Sequence, residues 1–119
     1  MNTPLARFRA FLTALTLAML VVTVMAAGRL GVPAGISTFL ADLGHPWRAQ
    51  YLSDLEAHLL LAGCWMIYRE RSRPVGAGCA IAALLFGALF TIPYVLLASY
   101  RTLGDPDALL TGRKAARAQ

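Results

Sequence analysis

Two long stretches without a charged residue constrain the fold of this chain more than any other feature of its sequence. Residues 10–28 form a stretch of 19 and residues 75–100 a stretch of 26, and neither contains Asp, Glu, Lys or Arg. At a rise of about 1.5 Å per residue, the shorter stretch makes a helix about 28 Å long, close to the ~30 Å hydrocarbon core of a bilayer. Both stretches are therefore predicted to be transmembrane helices, the second kinked at Pro93.

The composition of the whole chain agrees with a membrane location. Of the 119 residues, 58% are hydrophobic and 14% are charged, whereas soluble domains contain roughly 45–50% and about 25%. This composition excludes disorder and argues against a water-soluble fold. At about 100–150 residues per domain, residues 1–119 are predicted to form one membrane domain.

The first uncharged stretch also has the features of a secretory signal peptide. Arg7 and Arg9 precede it, and Val24-Met25-Ala26 offers small residues at the spacing of a cleavage site. Its apolar part is longer than the usual core of about 7–15 residues. We therefore expect an uncleaved helix, with cleavage within residues 1–26 as the alternative.

A third transmembrane helix is predicted between these two stretches, over residues 50–68. Pro46 suits the first position of a helix, where the missing N–H costs no hydrogen bond, and Trp47 suits the membrane interface. The chain is thus predicted to be an all-α integral membrane bundle of three helices. Asp54, Glu56 and His58 fall in the first half of this helix, at the headgroups or facing protein, since an ionised side chain facing lipid is costly.

Two short helices are predicted outside the transmembrane segments. The first loop carries apolar residues at the spacing of an amphipathic helix lying on the membrane surface or closing the bundle: Ile36, Phe39, Leu40 and Leu43. In the polar tail, residues 101–119, Asp105 is expected to cap a helix that Pro106 begins and Gly112 ends.

One face of the last predicted span is nearly free of side-chain bulk. Small residues recur along it at steps of four, three and four: Gly76, Ala80, Ala83 and Gly87. Such residues let two helices approach closely inside a membrane. We interpret them as a helix-packing face.

The basic residues lie at the ends of the apolar stretches, where they are typical of membrane topology and of contact with lipid headgroups. They do not form the continuous basic face that binds nucleic acid. Three crossings would put the two ends of the chain on opposite sides of the membrane. Three arginines in the short second loop favour a cytoplasmic N-terminus: Arg69, Arg71 and Arg73. We expect the membrane to be a bacterial inner membrane.

Several candidate contact residues lie on the second predicted helix. Four of them share one face at helical spacing: Asp54, His58, Trp65 and Tyr68. The acid one turn before the histidine is interpreted as a structural or partner contact near the interface, with proton handling or cofactor binding as alternatives. Arg69 and Glu70 end the helix and are interpreted as solvated charges that hold this end at the interface.

The sequence offers no set of residues for catalysis. Its Ser, Thr, His and acidic residues have no spacing that supports a nucleophilic triad, and it contains no glycine-rich phosphate loop. Cys64 and Cys79 belong to no CxxC pair and are expected to be buried thiols. No metal or cofactor is predicted, because a haem held by two histidines would need a ligand besides His58 from another chain.

The residues Pro46-Trp47, Asp54 and Trp65-x-x-Tyr68-Arg69-Glu70, followed by a third helix with Gly87 and Tyr94-Val95-Leu96, resemble a pattern, P-W-x6-D-x10-W-x-x-Y-[KR]-E. This pattern is that of a family of short membrane proteins of unknown function, and the resemblance covers roughly residues 46–97. It implies a three-helix membrane architecture and no catalytic residue.

The sequence favours a non-enzymatic membrane protein that packs as an accessory or structural subunit against a larger membrane complex or against itself. Its partners would be the lipid bilayer and other membrane chains. Two alternatives remain open at this stage: a small oligomeric transporter or channel with Asp54 and His58 along a polar path, and an electron-transfer subunit that binds haem or a pigment through His58.

Overall fold

The computed structural model describes residues 3–112, which form six α-helices and, within that range, no β-strand. In chain order the helices are α1 (Thr3–Leu30), α2 (Val32–Asp42), α3 (Pro46–Arg69), α4 (Arg73–Phe86), α5 (Ala88–Arg101) and α6 (Pro106–Thr111). The all-α prediction is thus confirmed. The molecule is elongated, with extents of 55 × 29 × 23 Å.

The short helices and the start of α3 occur where the sequence predicts them. The amphipathic segment of the first loop is α2, and α3 begins at Pro46. Asp105 caps α6, because its carboxylate accepts a hydrogen bond of 3.0 Å from the backbone N–H of Asp107. Gly112 ends α6 in the left-handed conformation, with φ of 69°.

The last predicted span, residues 75–100, is not one helix. Gly87 separates α4 from α5 with φ of 58° and ψ of −133°, a conformation that L-residues rarely adopt. Pro93 lies inside α5, which continues through it. The span thus breaks at Gly87, six residues before the kink predicted at Pro93, because the backbone leaves the helical region there.

The chain turns back sharply at Gly87. Helix α4 starts beside the end of α3, where Gly76 packs on its last turns, and reaches Gly87 beside Leu59. Tyr94, in the middle of α5, donates a hydrogen bond to Glu70, directly after α3. One straight helix would hold Tyr94 about 27 Å from Gly76 along its axis, out of reach of Glu70.

This turn changes the expected arrangement of the two chain ends. Arg9, near the start of α1, bonds to Ser99 near the end of α5, and α6 packs against the end of α3 through Leu109. The start of α1 and the end of the described chain therefore lie at the same end of the molecule. The prediction that they lie on opposite sides of a membrane counted residues 75–100 as one crossing, and the turn at Gly87 argues against that count.

Close packing of α3 and α4 depends on the small residues. Ala80 Cβ lies only 3.1 Å from the position that a Cβ would take at Gly63, and Ile67 Cα lies 2.9 Å from that position at Gly76. Ala83 is completely buried. Gly76, Ala80 and Ala83 thus form part of the contact with α3, whereas Gly87 makes the turn. Elsewhere α1 packs on α5, antiparallel to it, since Leu5 contacts Gly104.

The exterior of the molecule is strongly apolar. Leu12 is the one buried residue of α1, and large side chains such as Leu17, Val21 and Val24 are more than half exposed. Among the described residues, α1 is the one helix both long and apolar enough to cross a membrane, a property that a signal sequence shares. Helix α4 is apolar but, at about 21 Å, too short to cross alone.

Candidate functional site

Three of the residues singled out from the sequence meet at the end of α3, and a fourth residue from α5 joins them. We call Trp65, Arg69, Glu70 and Tyr94 the Arg69 cluster. Helix periodicity puts Trp65 and Arg69 one turn apart on one side of α3, and the turn at Gly87 brings Tyr94 back to them. The edge of the Tyr94 ring meets the Trp65 ring, with centroids 5.8 Å apart.

The guanidinium of Arg69 is buried, its side chain only 8% exposed. Its Nε donates a 2.7 Å hydrogen bond to the carbonyl of Leu109, and one terminal nitrogen lies 3.2 Å from the Tyr94 hydroxyl. The same nitrogen lies 3.4 Å from Glu70 Oε1. The prediction that Arg69 is a solvated charge is therefore wrong, because α5 and α6 cover it with acceptors from distant parts of the chain.

Glu70 completes the charge balance of the cluster. The hydroxyl of Tyr94 donates to Glu70 Oε1 at 2.6 Å, a short bond of the kind made to an ionised carboxylate. One carboxylate oxygen thus faces both a phenol and a guanidinium. Because the guanidinium is fixed by Leu109, the pair holds α3, α5 and α6 in one arrangement.

The last carbonyls of α6 are a further anchoring point. Carbonyls in the last turn of a helix have no partner within it. In α6 the indole N–H of Trp65 donates to the carbonyl of Leu110 at 3.0 Å, and Arg69 donates to the carbonyl before it. Gly112 follows directly and packs on the backbone of Arg69 so closely that a Cβ there would overlap it. Two side chains of α3 therefore cap a helix far along the chain.

The buried polar groups of the Arg69 cluster already have hydrogen-bond partners. Within residues 3–112 no buried side-chain nitrogen or oxygen lacks a hydrogen-bond partner. Satisfied buried networks stabilise one arrangement of the chain, whereas catalysis needs a group free to meet a substrate. This geometry supports a structural role for Trp65, Arg69 and Glu70.

Asp54 and His58 lie away from the Arg69 cluster, in the first half of α3. Their side chains are 64% and 72% exposed. The Nδ1–H of His58 donates to the backbone carbonyl of Asp54 at 2.7 Å, and Nδ1 lies 3.9 Å from the carboxylate. Within the part of the chain described here, no three His, Cys, Asp or Glu residues group as metal ligands would.

The two remaining aromatic residues of the pattern are also apart from the cluster. Trp47 and Tyr68 are both 68% exposed, and Trp47 pairs with Tyr51 at a centroid distance of 6.5 Å. On the predicted shared face of α3, Trp65 packs against Tyr94 of α5, whereas Asp54, His58 and Tyr68 are exposed. Cys64 is exposed and Cys79 half-buried, so the prediction that both thiols are buried is wrong for Cys64.

A second polar contact, between Arg9 and Ser99, is not predicted from the sequence. Arg9 donates to the Ser99 carbonyl at 2.7 Å and to its hydroxyl at 3.2 Å, and its guanidinium lies 3.9 Å from the centre of the Tyr100 ring. Ser99 is fully buried. In the sequence, this contact is indicated only by Ser99 and Tyr100, a serine and a tyrosine side by side near the end of an apolar stretch. Arg9, interpreted only as a flanking charge, ties α1 to α5.

Comparison of the chain with protein-family profiles, with curated proteins and with solved structures found no match. The resemblance of residues 46–97 to a family of short membrane proteins therefore stays a hypothesis. The contacts and exposure of the described residues are therefore the basis for the function proposed below.

Proposed function

We propose that this chain is a small, non-enzymatic integral membrane protein that serves as an accessory subunit for another membrane chain. In this proposal α1 crosses the bilayer, and α3, which is long enough to cross but more polar than α1, crosses beside that other chain. Helices α4 and α5 form a hairpin that enters from the side of the Arg69 cluster, turns at Gly87 and returns to the same side. The Arg69 cluster holds the returning helix and α6 in place.

The apolar exterior supports a membrane location. Large hydrophobic side chains are exposed along α1, α3 and α4, including Leu20, Leu61 and Leu85. Soluble monomers seldom expose contiguous apolar surface on this scale, whereas lipid solvates it. All backbone groups of a membrane helix must also be satisfied internally. The long helices α1 and α3 meet that condition except at their ends.

The uncovered first half of α3 is the observation that carries the accessory role. The hairpin reaches only as far as Leu59, where Gly87 turns, so residues 46–58 extend beyond it by about 18 Å. This segment holds Asp54, Glu56 and His58. A carboxylate facing lipid costs several kcal/mol. The side chains of Asp54 and His58 are 64% and 72% exposed, whereas Glu56 is half-buried. A neighbouring chain would supply the cover.

The experiment compares purification of the protein with and without the Asp54 charge. Solubilised in a mild detergent, the full chain should elute with a stoichiometric second chain or as an oligomer. Asp54→Asn should weaken that association. Asp107→Asn, an exposed acid at the opposite end of the molecule, serves as the matched control and should leave it unchanged.

A monodisperse monomer without a stoichiometric companion would contradict the accessory role. Equal loss of association in Asp54→Asn and Asp107→Asn would also contradict it, since the effect would then not depend on the uncovered half of α3.

A further inference from the structure

The turn at Gly87 gathers most of the positive charge at one end of the molecule. Six arginines of the described chain lie at that end: Arg7, Arg9, Arg69, Arg71, Arg73 and Arg101. Two lie at the other: Arg29 and Arg48. Three crossings would have put five of these eight arginines on one side and three on the other, so the turn adds Arg101 to the larger group.

Four of these six arginines are directed to the outside. Arg9 and Arg69 are held by α5 and α6, whereas the others are exposed and form no ion pair with a described carboxylate; they are Arg7, Arg71, Arg73 and Arg101, and we call them the arginine face. At the opposite end Arg48 is already paired with Asp42 at 3.1 Å. Exposed cations are thus concentrated at one end.

Contacts between helices bring the arginine face together from three helices. In α1, Leu5 contacts Gly104 and Arg9 bonds to Ser99. Arg7 lies between them in the sequence and is therefore level with the end of α5, where Arg101 lies. Arg71 lies in the connection from α3 to α4, and Arg73 begins α4 at this end.

We propose that the arginine face binds the anionic headgroups of phospholipids in the cytoplasmic leaflet. This inference rests on the proposed membrane location. Basic residues next to a bilayer gain about 1 kcal/mol each from the negative surface of that leaflet. Guanidinium groups match phosphate oxygens with two parallel hydrogen bonds. Phe8 of α1 and Val75 of α4 are exposed apolar residues close to Arg7 and Arg73 in the sequence, so these arginines are positioned where headgroups begin.

Binding of a fluorescent short-chain phosphatidylglycerol to the full-length protein in neutral detergent tests the proposal, with the matching phosphatidylcholine as reference. Phosphatidylglycerol should bind more tightly, and the preference should fall as salt is added. Replacing all four arginines of the face by Gln should lower its affinity by at least about 25-fold, since each contributes about fivefold and a headgroup phosphate contacts two or more of them. The variant Arg29→Gln/Arg48→Gln should bind as the unmodified protein does.

Three results would overturn the lipid proposal. One is equal affinity for both lipids, and another is equal weakening by the control variant. The third is displacement of the lipid by inorganic phosphate at the same concentration, which would indicate a free-phosphate site. If the Gln variant fails to fold, the salt series and a variant with Lys at the same four positions, expected to retain binding, decide the question.

Alkaline carbonate extraction of membranes separates this proposal from the proposed function. A protein released by the wash that still prefers phosphatidylglycerol contradicts the integral membrane location and leaves the arginine face intact. A protein that resists the wash without lipid preference overturns only the role of the arginine face.

Discussion

Arg69 is a buried cation stabilised by groups from three separate parts of the chain. Its Nε meets a carbonyl of α6, and its terminal nitrogen meets Tyr94 of α5 and the neighbouring Glu70. Leaving a buried charge without its partners costs several kcal/mol. Each partner therefore constrains the position of the element that carries it.

Removing the hydroxyl of Tyr94 tests this constraint. In Tyr94→Phe the carboxylate of Glu70 loses its 2.6 Å hydrogen bond while the ring packing on Trp65 is retained. We expect a loss of about 1–3 kcal/mol in unfolding free energy, measured by thermal denaturation in detergent. Tyr68→Phe is the control, at an exposed tyrosine of α3 one turn after Trp65, and should change stability little. Equal stability of both variants would exclude a role for this bond.

The sequence indicated part of this site and missed its environment. The pattern of α3 selects Trp65, Arg69 and Glu70, since helix spacing alone puts them near its end. It predicts solvated charges there, because nothing local to Arg69 indicates that a carbonyl 40 residues later will cover it. Burial is a tertiary property, and it depends on the turn at Gly87.

At the scale of elements, the hairpin of α4 and α5 determines the architecture. Length and apolar character predicted a single span over residues 75–100, and a proline is the residue that most often breaks a helix. Yet Gly87, which the sequence reasoning used as a small packing residue, has φ of 58° and makes the turn. An isolated glycine inside an apolar stretch is consistent with either role, so periodicity could not distinguish them.

Gly87→Ala tests the turn. A Cβ at this backbone conformation is strained by about 1–3 kcal/mol, although the nearest side-chain atom, on Leu59, is an ordinary 3.8 Å away. The variant should lose thermal stability, or its chain should straighten and separate Tyr94 from Glu70. Gly78→Ala is the control: no atom lies within 4 Å of its added Cβ, and alanine favours a helix. Equal melting temperatures for the two variants would contradict the strain argument.

The whole molecule has one end rich in contacts and charge and another where α1, α2 and the start of α3 extend with little cover. The contact-rich end contains the first residues of α1, the Arg69 cluster, α6 and the arginine face. The distribution of positive charge between the ends favours placing that end in the cytoplasm.

A topology experiment distinguishes this arrangement from three crossings. Green fluorescent protein fused to either end of the chain should fluoresce, and alkaline phosphatase fused to the C-terminal end should be inactive, because both ends would be cytoplasmic. Fusion of the phosphatase within α2 should restore its activity. An active phosphatase at the C-terminal end would show that residues 75–100 cross the membrane after all.

The anchoring of α6 on Arg69 has a consequence for synthesis of the protein. Arg69 leaves the ribosome 40 residues before the carbonyl that accepts its hydrogen bond, so the growing chain carries an incompletely paired guanidinium until the final helix is made. The contacts that bury Arg69 can therefore form only after α6 has been synthesised. A nascent chain that stops before Leu109 retains an exposed cation beside apolar helices, a difference by which quality-control proteases could distinguish an unfinished copy from a complete one.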